Sequence, residues 1–297
     1  MATRHGYPDL DSSRTLRWRG RPGEAKVFTG GHHLGDEMPE VTTAYAPGTP
    51  CWVDLMAKDQ QAALDLYRDL FGWQGQVGPA EFGGYAVCAL NEKPVAGIGP
   101  AMAPEGQPTP PTVWTSYLST DDADATQAAI TKAGGTVMVP VMDVGTTGRM
   151  LIAADPTGAV FGVWQPGDFF GAHVVNEPGA LTWNELHTAD IPAATAFYRA
   201  ALGVEIAPME GMNEEYYSFN VGGKSVGGVA KLQNDPPGTP AHWLTYFATD
   251  DTDSTVDALV KKGGSVLVPP FDMVAGRMSV VSDPQGAIFS VIKTVPM

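Results

Sequence analysis

The sequence predicts an α+β protein made of two tandem modules. Each module contains two βαβββ units whose strands form one curved mixed sheet, with the helices outside it. Three observations lead to this prediction: an internal repeat, a change of hydrophobic period between strand and helix within each copy, and a length of 297 residues with 43% hydrophobic content, which suits two ordinary domains.

The internal repeat sets the number of modules. Residues 51–73 align with residues 182–204 at a constant offset of 131. Farther along the chain, residues 111–135 match residues 240–264 in the positions of their tryptophan, tyrosine, aspartate and paired glycine residues. Self-similarity at a fixed spacing is the signature of a duplicated structural unit, so two homologous modules are expected.

The repeat also predicts the domain boundaries. Module 1 covers residues 49–166, and a linker at residues 167–179 joins it to module 2 at residues 180–294. Residues 1–48 are predicted to be a disordered or loosely attached arm, because residues 1–37 carry six of the 18 basic residues but no hydrophobic periodicity. A nucleic-acid-binding arm is the alternative interpretation.

The order of elements is the same in each half of a module. In module 1, residues 51–57 alternate as a strand, Asp59 has the position of a helix N-cap, and Gly72 ends the helical pattern. Three short strand-like runs follow, near residues 74–78, 84–90 and 94–99, and the order begins again after Pro111. Such units place their helices on one face of a sheet, so the other face is expected to form a cup that holds any ligand.

Charge and cysteine content limit the possible partners. The net charge of −15 and a pI near 4.6 disfavour nucleic acid and anionic membranes, and favour a neutral or cationic small molecule. Tryptophans on the predicted strands offer a stacking surface, so an aromatic small molecule is a further candidate. Two cysteines, Cys51 and Cys88, are too few for a disulfide framework, which predicts a reducing, cytoplasmic location. No apolar run approaches the roughly 18 residues of a membrane span.

Two short motifs, each present twice, carry a resemblance to a known superfamily. The first is Asp-x-x-x-Ala-x-x-x-Tyr-Arg-x-x-x-Gly after the opening strand, and the second is Asp-Pro-x-Gly-Ala-x-Phe before the last strand. The residues of module 1 are Asp59, Tyr67, Arg68, Gly72, Asp155, Pro156, Gly158, Ala159 and Phe161, and those of module 2 are Asp190, Tyr198, Arg199, Gly203, Asp283, Pro284, Gly286, Ala287 and Phe289. Over residues 49–294 the chain resembles the vicinal oxygen chelate superfamily of glyoxalases, bleomycin-resistance proteins and extradiol dioxygenases.

The resemblance implies three positions per module for ligands of a divalent metal. In this chain those positions hold Trp52 or Trp183 on the first strand, Trp114 or Thr115 and Trp243 or Leu244 on the middle strand, and Gly162 or Ser290 on the last strand. None of these side chains binds a hard divalent cation well, and module 1 contains no histidine, so no metal cofactor is expected there.

Module 2 offers the residues for a non-standard metal site. Glu185, His187 and His242 are the fallback ligands, because Glu185 and His187 are two apart on one strand and therefore share a face. A divalent metal is thus possible in module 2 only. The alternative is that the two histidines are hydrogen-bonded residues at the polar rim of a pocket.

A Trp-x-acid pattern on the first strand of each module predicts the chemistry. It places Asp54 beside Trp52 and Glu185 beside Trp183, and we expect Asp54, Glu185 and His187 to be acid or base catalysts. The predicted ligand-binding residues are Trp52, Trp114, Tyr117, Arg149, Trp183, Tyr217, His242, Trp243, Tyr246 and Arg277. The alternative is that the tryptophans pack in the core while the acids pair with Arg149 or Arg277.

Three functions remain open from the sequence. The leading hypothesis is a glyoxalase- or hydroxylase-like enzyme that transforms a small molecule, in secondary metabolism, without the usual metal triad. The second is a non-catalytic binder that sequesters a drug or metabolite, and the third is a metal-dependent lyase or dioxygenase that uses module 2 alone. The modules are expected to pair edge to edge as an internal pseudo-dimer, in a monomer or a homodimer. The pair Tyr216-Tyr217 against Tyr85-Ala86 predicts pockets of different shape.

Overall fold

The computed structural model describes residues 40–103, 109–209, 216–232, 235 and 237–295. Most of the predicted N-terminal arm lies outside the described residues. Residues 40–48 are described and hydrogen-bond to the linker, where the Tyr45 hydroxyl donates to the Ala172 carbonyl at 2.7 Å.

Module 1 forms a seven-stranded sheet with two helices. Its elements are β1 (Pro50–Ala57), α1 (Gln60–Phe71), β2 (Ala86–Leu90), β3 (Lys93–Pro100), β4 (Trp114–Ser119), α2 (Ala123–Lys132), β5 (Thr136–Val144), β6 (Gly148–Ala154) and β7 (Val160–Pro166). The strand order is β2-β3-β1-β4-β7-β6-β5, with β1 and β4 antiparallel at the centre. The strand predicted near residues 74–78 is reduced to an isolated bridge between Gln74 and Ala89.

Module 2 repeats this arrangement with one additional strand. Its elements are β8 (Leu181–Thr188), α3 (Ile191–Leu202), β9 (Glu205–Pro208), β10 (Tyr216–Val221), β11 (Lys224–Lys231), β12 (His242–Ala248), α4 (Thr252–Lys261), β13 (Ser265–Met273), β14 (Gly276–Ser282) and β15 (Ile288–Thr294). The strand order is β13-β14-β15-β12-β8-β11-β10-β9. The two βαβββ units of each module therefore join through their first strands into one mixed sheet, as predicted.

The predicted helix ends are confirmed. The Asp59 side chain accepts a hydrogen bond from the Ala62 backbone at the start of α1, and Gly72 ends the helix with φ of 76°. Asp190 and Gly203 do the same for α3. A left-handed residue after a helix favours glycine because a Cβ atom is strained there. None of the helices in the described parts of the chain is long and apolar enough to cross a membrane.

The modules pack through the faces that carry their helices. α1 contacts α4, and α2 contacts α3. One hydrophobic core joins the first half of module 1 to the second half of module 2, and another joins the two remaining halves. The predicted edge-to-edge pairing is wrong, because the two sheets are separate and bury their apolar helix-bearing faces against each other.

Two buried tyrosines connect the modules in a pseudosymmetric way. The hydroxyl of Tyr67 on α1 donates to the Asp283 carboxylate of module 2 at 3.2 Å and accepts from the Trp114 indole. The hydroxyl of Tyr198 on α3 donates to Asp155 of module 1 at 3.1 Å and accepts from the indole of Trp243. The motif residues Tyr67, Asp155, Tyr198 and Asp283 therefore hold the two modules together.

Replacing Tyr67 with Phe tests this connection. The variant leaves the buried Trp114 indole and one Asp283 oxygen without their partner, so we expect the free energy of unfolding to fall by about 1–3 kcal/mol. Urea unfolding followed by circular dichroism measures it. In contrast, Lys262→Ala removes an exposed ion pair between the modules, with Asp69, and is expected to cost under about 1 kcal/mol. Equal losses in both variants would contradict this account.

Candidate active site

The site is built on the face of the module 2 sheet that points away from the helices. On β8 the side chains alternate, so Leu186 lies in the core between the modules while Trp183, Glu185 and His187 lie on the opposite face. Tyr246 of β12 reaches the same face, where it packs with Trp183 against Leu244 and Met278. This face is called the module 2 cup below.

Glu185 is the polar centre of this cup. Its side chain is buried, and its Oε2 atom accepts a hydrogen bond from the Tyr216 hydroxyl at 2.5 Å. Its Oε1 atom accepts from the Tyr246 hydroxyl at 3.2 Å and lies 2.7 Å from Nε2 of His187. The Trp183 indole in turn donates to the Tyr216 hydroxyl at 3.0 Å. These bonds compensate the cost of burying a carboxylate and fix its orientation.

His187 lies between two carboxylates. Its Nδ1 atom is 2.8 Å from Oδ2 of Asp235, while its Nε2 atom is bonded to Glu185. Burial alone lowers the pKa of His187, but the hydrogen bonds and negative charges of Glu185 and Asp235 outweigh burial and raise that pKa to about 9. Since carboxylates only accept, both ring nitrogens carry a proton in this arrangement.

His242 completes the cluster from the start of β12. Its ring lies 4.8 Å from the ring of His187, and its Nε2 atom is 4.0 Å from Oδ1 of Asp235. Its Nδ1 atom is 2.9 Å from the Pro240 carbonyl, which can only accept, so Nδ1 is the donor and Nε2 keeps a lone pair. Burial lowers the pKa of His242, and the charge on His187 lowers it further.

Module 1 has a related centre around Asp54. The Tyr117 and Tyr85 hydroxyls donate to Oδ2 of Asp54 at 2.9 and 3.3 Å, and the Trp52 indole donates to the Tyr85 hydroxyl. Within the described residues Oδ1 of Asp54 has no hydrogen-bond partner. Burial raises the pKa of Asp54 to about 7, although the two tyrosine hydrogen bonds act in the opposite direction.

The two cups differ in how far they are covered. In module 1 the ring of Phe169, from the linker, packs edge-on against Trp52 at 4.9 Å, and Ala172 packs in the same cluster. Trp52 is therefore only 4% exposed. In module 2 Trp183, His187 and His242 are partly exposed. The module 2 cup is thus the more accessible of the two.

Several predicted site residues lie elsewhere. Trp114 and Trp243 pack in the cores between the modules, and Tyr217 packs against the core that contains Trp243. Arg149 pairs with Asp124 and Asp143, and Arg277 pairs with Asp253 and Asp272, on the side of the sheets that carries α2 and α4. The prediction that these five residues line the cups is wrong. Side chains alternate between the two faces of a strand, and each of these residues occupies a position that faces the helices. For the same reason, neither arginine pairs with Asp54 or Glu185.

Three residues of the clusters were absent from the predicted set: Tyr85, Tyr216 and Asp235. The internal repeat could have indicated Tyr85 and Tyr216, because the two tyrosines are 131 residues apart, as are Trp52 and Trp183. Asp235 lies in the connection between β11 and β12 and has no such signal. Its approach to His187 depends on tertiary structure.

The positions at which the superfamily holds its metal do not fit a cation here. At the first-strand position of module 2, the Trp183 indole is a donor to Tyr216 and has no lone pair to offer. The middle positions hold the apolar side chains of Trp243 and Leu244. A histidine or carboxylate triad is thus missing from these positions, and we derive no chemical step from a metal there.

Known proteins share both the sequence and the fold. The family described as Glyoxalase/Bleomycin resistance protein/Dioxygenase superfamily matches residues 50–163 and 173–291. The protein CFP32 of Mycobacterium bovis is 44% identical over 265 residues, which cover 87% of this chain and 99% of that protein. The anthracycline biosynthesis protein DnrV of Streptomyces peucetius is 39% identical over 264 residues, which cover 84% and 95%.

Solved structures agree on the fold. The Mn(II)-bound glyoxalase from Novosphingobium aromaticivorans aligns with a TM-score of 0.58 at 17% identity, over 84% of this chain and 82% of that one. The 2,3-dioxygenase LapB from Pseudomonas sp. KL28 aligns with a TM-score of 0.57 at 14% identity, over 85% and 93%. The family match over residues 50–163 and 173–291 and the relatives at 44% and 39% identity show that the chain belongs to the glyoxalase, bleomycin-resistance and dioxygenase superfamily.

Proposed function

We propose that this protein is an enzyme that binds a small, largely aromatic organic molecule in the module 2 cup and transforms it by proton transfer at Glu185. The observation that carries the proposal is the arrangement around Glu185. A buried carboxylate with two tyrosine hydroxyls and an imidazole directed at it lies beside partly exposed aromatic side chains. Convergent polar groups in an apolar cup are typical of substrate sites.

The cup walls favour an aromatic or apolar substrate. Trp183, Leu244, Tyr246, Met278 and Ile292 form one apolar cluster around the polar centre. The net charge of −15 disfavours an anionic substrate. DnrV and the related protein DauV are named for anthracycline biosynthesis, which supports a polycyclic aromatic substrate and a role in secondary metabolism.

Each group around Glu185 has a defined task in this proposal. The hydroxyls of Tyr216 and Tyr246 donate to the carboxylate and hold it, and each can instead turn its single proton toward a substrate oxygen. Glu185 takes a proton from the bound molecule, or returns one to it, in a setting from which water is partly excluded. His187 fixes Glu185 from the other side and is itself held by Asp235.

Module 1 has a structural role in the proposal. Its Asp54 cluster reproduces the tryptophan, tyrosine and acid arrangement, but Phe169 and Ala172 cover it. The module supplies the helix-bearing face on which module 2 packs. Sequestration of a ligand without turnover is the second candidate function, and the accessible aromatic walls of the module 2 cup favour it.

Matched substitutions in the two cups test the proposed reaction. Glu185→Gln keeps the shape of the side chain but removes its basicity, so turnover is expected to fall by about 10²- to 10⁴-fold with ligand affinity largely retained. A panel of polycyclic aromatic phenols and ketones would be screened by quenching of tryptophan fluorescence, with products identified by mass spectrometry. Asp54→Asn, the module 1 counterpart, is expected to leave turnover close to that of the parent protein.

Three results would count against the enzymatic proposal. Ligand binding with no product from the parent protein would favour sequestration. Turnover that survives Glu185→Gln would exclude Glu185 as the proton-transferring group. A loss of turnover in Asp54→Asn comparable to that in Glu185→Gln would place the reaction in module 1, or in both cups.

The raised pKa of Asp54 predicts how stability depends on pH. A carboxyl group whose pKa is higher in the folded protein than in the unfolded chain stabilises the fold while protonated, and this contribution is lost as the pH rises through about 7. Asp54→Asn cannot ionise. The melting temperature of the variant relative to that of the parent protein is therefore expected to rise between pH 5 and pH 8.

The control for this measurement is Asp121→Asn, which removes an exposed carboxylate. Its difference from the parent protein is expected to stay flat over the same pH range. A flat difference for Asp54→Asn as well would show that Asp54 is ionised throughout and that its burial is compensated.

A further inference from the structure

We infer that His187, Asp235 and His242 form a binding site for one divalent transition-metal ion, displaced along the module 2 cup from the positions that the superfamily uses. Nδ1 or Nε2 of the histidines and a carboxylate oxygen of Asp235 all lie within 4.8 Å of one another. This inference goes beyond the proposed function and does not depend on it.

The hydrogen bonds of the two histidines direct one nitrogen of each toward Asp235. In His187, Nε2 is engaged by Glu185, so Nδ1 faces the Asp235 carboxylate. In His242, Nδ1 donates to the Pro240 carbonyl, so Nε2 faces the same carboxylate. Histidines that bind metals commonly donate their other nitrogen to a carboxylate or a backbone carbonyl, which fixes the ring and its tautomer. Both arrangements are present here.

The distances suit an ion after small side-chain rotations. A tetrahedral ion with bonds of about 2.1 Å separates its ligand atoms by roughly 3.4 Å. The separation is 2.8 Å between Oδ2 of Asp235 and Nδ1 of His187, and 4.0 Å between Oδ1 of Asp235 and Nε2 of His242. The first pair would have to move apart, and the second together, by about 0.6 Å to reach that value. An ion between these groups would replace the proton that now bridges Nδ1 of His187 and Asp235.

The donor set indicates the class of cation. Two imidazoles and one carboxylate suit zinc, iron, cobalt and similar divalent ions better than calcium or magnesium, which prefer oxygen ligands. His187 and His242 are opposite each other on neighbouring antiparallel strands, β8 and β12. Since the three side chains are only partly buried, the site is open to solvent on one side and leaves coordination positions for a substrate or water.

Among its described residues, module 1 offers no equivalent site. The repeat places Met56 at the position of His187 and Val113 at the position of His242. Module 1 therefore lacks both histidines in the same cup that Phe169 and Ala172 cover. The cation site is therefore expected once per chain and not twice.

The test is titration of the full chain, without an affinity tag and after treatment with a chelator, with Co²⁺ alone. We expect one Co²⁺ per chain by calorimetry, together with the visible absorption bands of a nitrogen- and oxygen-coordinated ion. Asp235→Asn and His242→Gln are each expected to abolish the tight binding and the bands. Glu185→Gln, which loosens the orientation of His187, is expected to weaken binding by about 10- to 100-fold.

Two controls exclude binding elsewhere. His173→Gln removes the only other histidine after the N-terminal arm and should leave the affinity unchanged. Replacing His5, His32 and His33 with Gln should also leave it unchanged. The melting curves of the metal-free variants show whether each one folds, and the two ligand variants provide independent evidence if one of them does not.

The outcomes separate this inference from the proposed function. Absence of Co²⁺ binding, or binding that persists in Asp235→Asn or His242→Gln, would overturn the inference. Because the titration contains no substrate, a failed search for turnover leaves its result untouched. Turnover by metal-free protein would support the proposed function even if no Co²⁺ binds.

Discussion

The burial of the two helix-bearing faces against each other is the constraint on which the rest of the structure depends. Each sheet is apolar on the side of its helices, and neither module could leave that face in water. The pairing buries both faces, and Tyr67 and Tyr198 connect the two modules through Asp283 and Asp155. As a consequence, the opposite faces of the sheets stay outside the contact between the modules. The location of both cups thus follows from the way the modules pack.

Strand alternation then determines which side chains reach the cups. A residue on β8 or β12 lies either in the core between the modules or in the cup, and its neighbour lies on the other side. Trp243 packs under Tyr198, whereas His242 and Leu244 face the cup. The buried acids in the cups are held by tyrosine hydroxyls and not by arginines. The arginines of β6 and β14 lie on the opposite, helix-bearing faces of the sheets, where they pair with Asp124 and Asp253.

The two modules share one arrangement of side chains in their cups but differ in how accessible that arrangement is. Both keep the tryptophan, tyrosine and acid arrangement. In module 1 the linker covers it, and a single carboxylate remains buried beside two hydroxyls. In module 2 the acid is extended by His187, Asp235 and His242, and the cup is partly open. The differences between the copies, more than their shared residues, therefore support the proposal that module 2 holds the ligand.

The sequence by itself determined the duplication, the α+β class, the helix caps and the strand that carries Glu185 and His187. These features depend on local periodicity and on residues close together in the chain. Tertiary structure alone decided that the modules pack by their helix faces, that Trp114 and Arg149 lie away from the cup, and that Asp235 meets His187. Those contacts join residues far apart in the chain, and their geometry depends on sheet parity and on packing between modules, which a single sequence does not display.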